Sequence, residues 1–296
     1  MDFVKKGYDK FNFLFDQTKC NNLLEKIKKT RDFGPNLFLS EEEFNKNPIY
    51  KGVNPRPGRN ICETLKEDIS FITEDERFKL MLSKILGEDY KYLHHKVVCS
   101  VPNTWLPDWL IKKIDGTPAK NLGAYVKPEY RDVTYFQGID YHQDIIDRPG
   151  RESDFITIYV YLHDVNDYNS PIHVLEGSHI LGATEFPHSL RRGSGDNWDY
   201  FYKDMTKNCK NIKLTAPAGS CFYWHCATLH GTQPNTGDNE RISLRLMYSK
   251  FNKSSKGLID DVNNEIEGAL SIFKTRTDLD KKGEAKIKSN KINGES

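Results

Sequence analysis

No stretch of the 296 residues is apolar for the length a bilayer crossing needs, and the opening Met-Asp-Phe-Val-Lys-Lys lacks the apolar run of a secretory signal. The expectation is a cytoplasmic chain with no membrane partner. Charge of one sign is missing too. With 43 lysines and arginines against 42 acids the formal charge is +1, so no nucleic-acid footprint is expected. The six cysteines have neither paired metal-ligand spacing nor the density of a disulfide framework, so they read as reduced, mostly buried thiols. There is no internal repeat, and no composition break that would mark a second folded unit.

Aromatic residues are plentiful. The 16 Phe and 15 Tyr favour strands around an aromatic-lined pocket over a bare helical bundle. Helical spacing of Leu23, Leu24 and Ile27 predicts an amphipathic helix over residues 20–32, and Phe78, Leu80, Met81, Leu82 and Ile85 predict another over 74–86, stopped by Gly87. Residues 52–59 form a breaker-rich loop, and 105–114 a short helix around Pro107. From Asp132 the pattern turns to strands, at 133–136, 155–162, 173–175, 212–214, 221–224 and 241–248. The fold class is therefore α+β with a mostly β core, buttressed by N-terminal helices. One domain over residues 1–275 accounts for all of this, including a possible helix at 258–274. Within it, 186–204 is a polar insert longer than a hairpin loop needs, which suits a lid over a substrate or a solvated surface loop equally. Residues 276–296 are charged and almost free of aromatics, and read as a disordered tail.

The chemistry is concentrated in four residues. In an extended segment residues i and i+2 project to one side, so His142 and Asp144 can grip one metal ion while Gln143 points away. A lone His-X-Asp is weak evidence, since by itself it is usually a polar turn. Here a further histidine, His230, follows an aromatic run and precedes a turn at Gly231 and Pro234. Two histidines and one carboxylate on one face of an octahedral ferrous ion leave the other face open for oxygen. Downstream, Arg241, Ser243 and Arg245 alternate with Ile242, Leu244 and Leu246, which turns a polar edge inward. A guanidinium there suits a carboxylate held by two parallel bonds, with the Ser243 hydroxyl as a third donor. His225 is the rival to His230, and the odd spacing between them would put the two on opposite faces of a strand. His94, His95, His163, His173, His179 and His188 read as structural or exposed.

At these positions the chain resembles the phytanoyl-CoA dioxygenase family of iron(II)- and 2-oxoglutarate-dependent oxygenases. The resemblance is carried by Tyr141-His-Gln-Asp144, the strand at 157–162, Asn169-Ser-Pro-Ile-His-Val-Leu-Glu-Gly-Ser-His179, His230-Gly-Thr-Gln-Pro-Asn235 and Arg241, in the family's order over roughly residues 90–250. Ser170 and Glu176 stand where the family usually has glycine and proline, which bears on loop shape and on no ligand. The resemblance implies a double-stranded β-helix, the jelly-roll or cupin-like barrel. It implies iron(II) on His142, Asp144 and His230, with molecular oxygen as oxidant. It also implies 2-oxoglutarate as co-substrate, its distal carboxylate on Arg241 and Ser243, with Tyr159 and Gln137 as further contacts. The implied reaction is hydroxylation of an unactivated C–H bond, releasing succinate and carbon dioxide. Desaturation and ring closure use the same oxidant and stay open, whereas the retained Asp144 departs from related halogenases, which have a small residue there. Arg191, Arg192 and Arg245, mixed with aromatics along the expected pocket walls, suit a small polar or anionic metabolite. Two rival classes are a cupin-type metal enzyme that needs no 2-oxoglutarate and a catalytically silent ligand-binding module; Arg241 argues against the first and the intact ligands against the second.

Overall fold

A computed structural model describes residues 2–46 and 60–281 of the chain. All seven residues of the strand Phe155–Tyr161 are buried. A strand covered on both faces sorts its side chains by alternation alone. On one face Ile156, Ile158 and Val160 join Ile242, Leu244 and Leu246 from Arg241–Ser249 and Val97 and Cys99 from Lys91–Ser100. The helices Lys66–Thr73 and Glu76–Leu86 cover that face with Ile69, Ile72, Phe78, Leu82 and Ile85. On the other face Tyr159 and Tyr161 meet Val98, Ile172, Val174, Phe222 and Trp224 in a separate cluster. That inner cluster fills part of a barrel, and the remaining inward positions carry polar residues, His142, His230, Arg241 and Arg245 among them.

Among the described residues twelve strands pair into one sheet. Cys221–His225, Phe155–Tyr161, Arg241–Ser249 and Lys91–Ser100 run side by side as one wall. Thr134–His142, His230–Thr232, Ile172–Leu175 and Met205–Leu214 form the other. A parallel pairing of Val98 with Thr134 and Ser100 with Phe136 stitches the walls along one edge. Among the described residues the other edge stays unclosed, with Tyr8–Lys10 at one end of the path and Asn197–Tyr202 and Ser189–Arg192 at the other. The architecture is thus a double-stranded β-helix with helices outside one wall, the expected α+β class.

Several elements differ in extent from the sequence reading. The helix expected over 20–32 is Gln17–Lys28, started by Asp16, whose carboxylate accepts from the Lys19 amide at 3.0 Å. The helix expected over 258–274 ends at Asn264. Lys91–Ser100 was not anticipated because His94, His95 and Lys96 break its apolar pattern. The insert at 186–204 is built of strands: Ser189–Arg192 and Asn197–Tyr202 continue the sheet, with Trp198 and Tyr200 buried beside Tyr141 and Leu181. The expected tail is anchored at its start, where Arg276 bridges to Phe186 and bonds Asp278 at 2.7 and 2.8 Å. Residues 52–59, read as a loop, and 282–296 lie outside those described. Among the described residues no helix is long and apolar enough to cross a membrane, and all six cysteines are buried and unpaired.

All nine histidines of the chain are held below their ordinary pKa of 6.5, with burial as the leading cause in each. Burial pushes His225 and His188 down to about 3 and His95 and His179 to about 4. A depressed folded-state pKa means that the unfolded chain takes up protons first as pH falls through 6.5, so the stability these groups contribute is complete above that value and drains away toward 4 and 3. The urea midpoint of metal-free protein should therefore drop steadily between about pH 6.5 and pH 4 and level off above neutrality; a flat profile across the acid range would contradict the burial of these rings.

Candidate metal centre

Register builds the centre. His142 is the last residue of its strand and His230 the first of its own, and the two are direct antiparallel partners, with ring centroids 4.3 Å apart. Gln143 continues the extended backbone at φ −106° and ψ 139°, which returns Asp144 to the same side before the 3-10 turn Asp144–Asp147. One ligand atom from each of His142, Asp144 and His230 lies within 4.8 Å of the others. The Gln143 side chain points the other way, donating to the Gly182 and Ala227 carbonyls at 2.7 Å each and accepting from the Thr184 amide at 2.9 Å. It ties two loops, at 182–184 and at Ala227, together behind the ligands.

The donor set fits a divalent metal. His142 Nδ1 faces the Asp140 carbonyl at 3.0 Å and His230 Nδ1 faces the Thr228 carbonyl at 3.1 Å. A carbonyl only accepts, so Nδ1 carries the ring proton and Nε2 keeps its lone pair for a metal. Burial holds both rings neutral against the pull of Asp144, His230 down to about 3. Burial alone would push Asp144 up, but the Arg245 guanidinium holds its carboxyl far below the usual range. Trp224 Nε1 donates to Asp144 Oδ2 at 3.0 Å, and Arg245 Nη2 bonds Oδ1. Two neutral imidazoles and an oriented carboxylate on one face match a ferrous site with open positions.

The triad lines a cavity of about 660 Å³ that Arg241 and Tyr159 also line. Arg241 is 2% exposed; its Nη1 donates to Ser243 Oγ at 2.9 Å, while its Nε is buried without a partner. An orphaned donor on a buried guanidinium fits a carboxylate arriving from the cavity. Ser243 itself does not line the cavity, so its hydroxyl steadies the guanidinium from behind. Tyr159 stacks on Trp224 with centroids 5.2 Å apart and 21° between planes. Gln137 must be corrected: Phe136 takes the inward position, and the Gln137 amide turns away to donate to Asn103 Oδ1 at 2.9 Å. His225 is also excluded from the centre, buried near the Ser153 carbonyl at 3.3 Å and accepting from the Ala227 amide at 3.2 Å. It and His230 end and begin two different strands. Of the arginines expected on the pocket wall, Arg245 lines the cavity and Arg191 and Arg192 do not; sequence reasoning gave no role to Lys96, His94 or Arg148, which are also on the wall. Arg245 was visible in the alternation after Arg241, and Arg148 four residues beyond Asp144.

Anaerobic titration with ferrous iron checks the ligand set. His142→Ala, Asp144→Ala and His230→Ala should each lower iron affinity by at least about tenfold to a hundredfold while circular dichroism stays that of a folded barrel. His225→Ala should keep iron affinity and lose stability. Retained binding by His230→Ala together with lost binding by His225→Ala would reverse the assignment.

Comparison with known proteins agrees with this geometry. A family model, phytanoyl-CoA dioxygenase (PhyH), matches residues 3–243. The match starts far ahead of residue 90, so the N-terminal helices belong to it as well. A probable alpha-ketoglutarate-dependent hypophosphite dioxygenase of Stutzerimonas stutzeri is 22% identical over 258 residues, 84% of this chain and 76% of that protein. The L-proline trans-4-hydroxylase of Streptomyces griseoviridis is 25% identical over 136 residues, 42% of this chain and 48% of that protein. Among solved structures, the epimerase SnoN in complex with Fe3+ and alpha ketoglutarate has a TM-score of 0.51 and 13% identity, covering 84% of this chain and 81% of that one, which shows the shared fold. The chain belongs to the phytanoyl-CoA dioxygenase (PhyH) family and is a non-haem iron dioxygenase dependent on 2-oxoglutarate.

Proposed function

We propose that this chain hydroxylates an unactivated C–H bond of a small polar or anionic metabolite, with His142, Asp144 and His230 as the iron ligands and Arg241 as the anchor for the distal carboxylate of 2-oxoglutarate. The observation that carries the reading is the buried, unpartnered Nε of Arg241 in the wall of the same cavity as the triad. Iron and 2-oxoglutarate, when bound, supply the oxidant: one atom of O2 leaves in succinate as the keto acid loses carbon dioxide, and the other enters the substrate C–H bond as hydroxyl. The protein's own residues set the stage. Ser243 fixes the Arg241 guanidinium, and Tyr159 stacked on Trp224 forms an aromatic wall that excludes water beside the metal. Trp224 also orients Asp144, which keeps one face of the centre occupied by protein and the other free. The named substrates of the two relatives, hypophosphite and L-proline, are small and polar, which supports the substrate class. Six buried, unpaired cysteines suit a reducing cytoplasm.

Oxygen-dependent succinate release from the iron-loaded protein, screened against a metabolite panel, tests the reading. Turnover without succinate would indicate a metal enzyme of another kind, and no turnover at all a binding module. Arg241→Ala removes a charge-assisted pair and should raise the 2-oxoglutarate requirement roughly a hundredfold, about 3 kcal/mol, with iron binding kept. An unchanged requirement would remove Arg241 from this role.

A further inference from the structure

The cavity wall carries more positive charge than iron and 2-oxoglutarate use. Lys96, Arg131, Arg148, Arg241, Arg245 and Arg276 line it, against Asp132, Asp144 and Asp147. Most of these are already matched. Arg245 pairs with Asp144, Arg276 with Asp278 and Asp147, and Asp132 with Arg31. Arg131 donates to the Val126 and Ala124 carbonyls at 2.9 and 3.3 Å. Three cations are left with no ion pair among the described residues: Arg241, Lys96 and Arg148. The first is the 2-oxoglutarate anchor, and the other two stand elsewhere. Arg241 and Arg245 are four residues apart on one strand, about 13 Å along it. Lys96 is the cross-strand partner of Arg245 and not of Arg241, and Arg148 reaches the same end of the cavity through His94.

His94 gives a second, independent indication. Its Nδ1 lies 3.0 Å from Arg148 Nη2 and its Nε2 lies 3.3 Å from Arg245 Nη1. Burial holds the ring neutral, and a neutral imidazole has one N–H and one lone pair. Guanidinium groups donate and never accept, so His94 can satisfy only one of the two arginines. Donors around His94 therefore outnumber acceptors, an arrangement that suits a group that only accepts. Burial and the neighbouring Arg245 also pull the Lys96 ammonium down to about 8, a strain that an anion beside it would relieve.

We propose that Lys96 and Arg148, set around His94, form a second anion subsite that holds an oxyanion group of the organic substrate, carboxylate or phosphorus oxyanion, at the end of the cavity remote from Arg241. The inference rests on the reading of the cavity as a 2-oxoglutarate oxygenase site and adds to it which end of the substrate is charged and what holds it. Such an anchor fixes one end of a small molecule while Arg245, bonded to Asp144, ties the subsite to the metal ligands. It also selects against neutral metabolites of the same size, which would leave two half-buried cations unmatched.

Anaerobic calorimetry on the Fe(II) protein at saturating 2-oxoglutarate, with methylphosphonate in one arm and propionate in the other, tests this directly. At least one probe should bind saturably and more weakly as salt is added, and the arm that binds identifies the head group. Lys96→Met and Arg148→Met should each weaken that binding about tenfold or more, with Arg148→Lys restoring part of it. Lys96→Gln and Arg148→Gln carry the same test if the methionine variants do not fold. Arg241→Gln should weaken 2-oxoglutarate binding and leave probe binding in place. The subsite is overturned if neither probe binds the unmodified protein, or if the Lys96 and Arg148 variants bind it as well as the unmodified protein does. Failure of the oxygenase reading looks different: no 2-oxoglutarate binding and no succinate, with probe binding still lost in the Lys96 and Arg148 variants.

Discussion

The pairing of His142 with His230 across two antiparallel strands is the constraint on which the rest depends. Side chains alternate along a strand, so a slip of one residue in this register would send one imidazole into the barrel and the other out of it. The register is held from both sides, since His230 also pairs with Val174 and the loop behind the ligands is bracketed by Gln143. A metal centre of two histidines and a carboxylate is thus a consequence of sheet geometry, with the third ligand delivered by two further residues of extended chain. Local strain is not needed to assemble it.

How much of this the sequence shows depends on whether a residue's role is written in its spacing or in its partner. His142, Asp144 and Arg241 were legible because alternation and the odd presence of charge on an apolar strand are local signals. His230 was legible only with the family's order, since His225 lies five residues earlier at the end of the same aromatic run. Gln137 misled because a polar residue on a strand near the ligands looks inward-facing; the neighbouring Phe136 holds the inward position and the Gln137 Nε2 donates to Asn103 instead. The strand Lys91–Ser100 escaped for the reverse reason. Its His94 and Lys96 face a polar cavity, so the strand lacks the apolar alternation that would identify it. Arg276 escaped because the composition around it is that of a tail, and only a bridge to Phe186 draws it to the cavity.

The two arginines on Arg241–Ser249 divide the electrostatic work by what faces them. Arg245 has a carboxylate within the protein, and its charge is absorbed in holding Asp144 ionised inside a barrel. Arg241 has only a serine hydroxyl, so its charge is directed at the cavity. Residues four positions apart on the same strand edge thus differ in function because one meets an acid across the barrel and the other does not. Lys96 and Arg148 belong with Arg241 on this criterion, which is why an unmatched cation is more informative here than a conserved-looking motif would be.

The same criterion bears on how the barrel folds. A lone buried carboxylate between two imidazoles is costly, and where nothing but a metal relieves that cost, folding waits for the metal. Asp144 has protein partners on both oxygens, Trp224 on Oδ2 and Arg245 on Oδ1. Its burial is therefore compensated within the chain, and the inner cluster of Tyr159, Val174, Phe222 and Trp224 can close without a cation. Binding then has to compete only for lone pairs that the protein leaves open: Nε2 of each histidine, and the carboxylate positions not taken by indole and guanidinium. The fold prepares the ligands, and the arginine that stabilises Asp144 also limits how many metal-facing positions that carboxylate can offer.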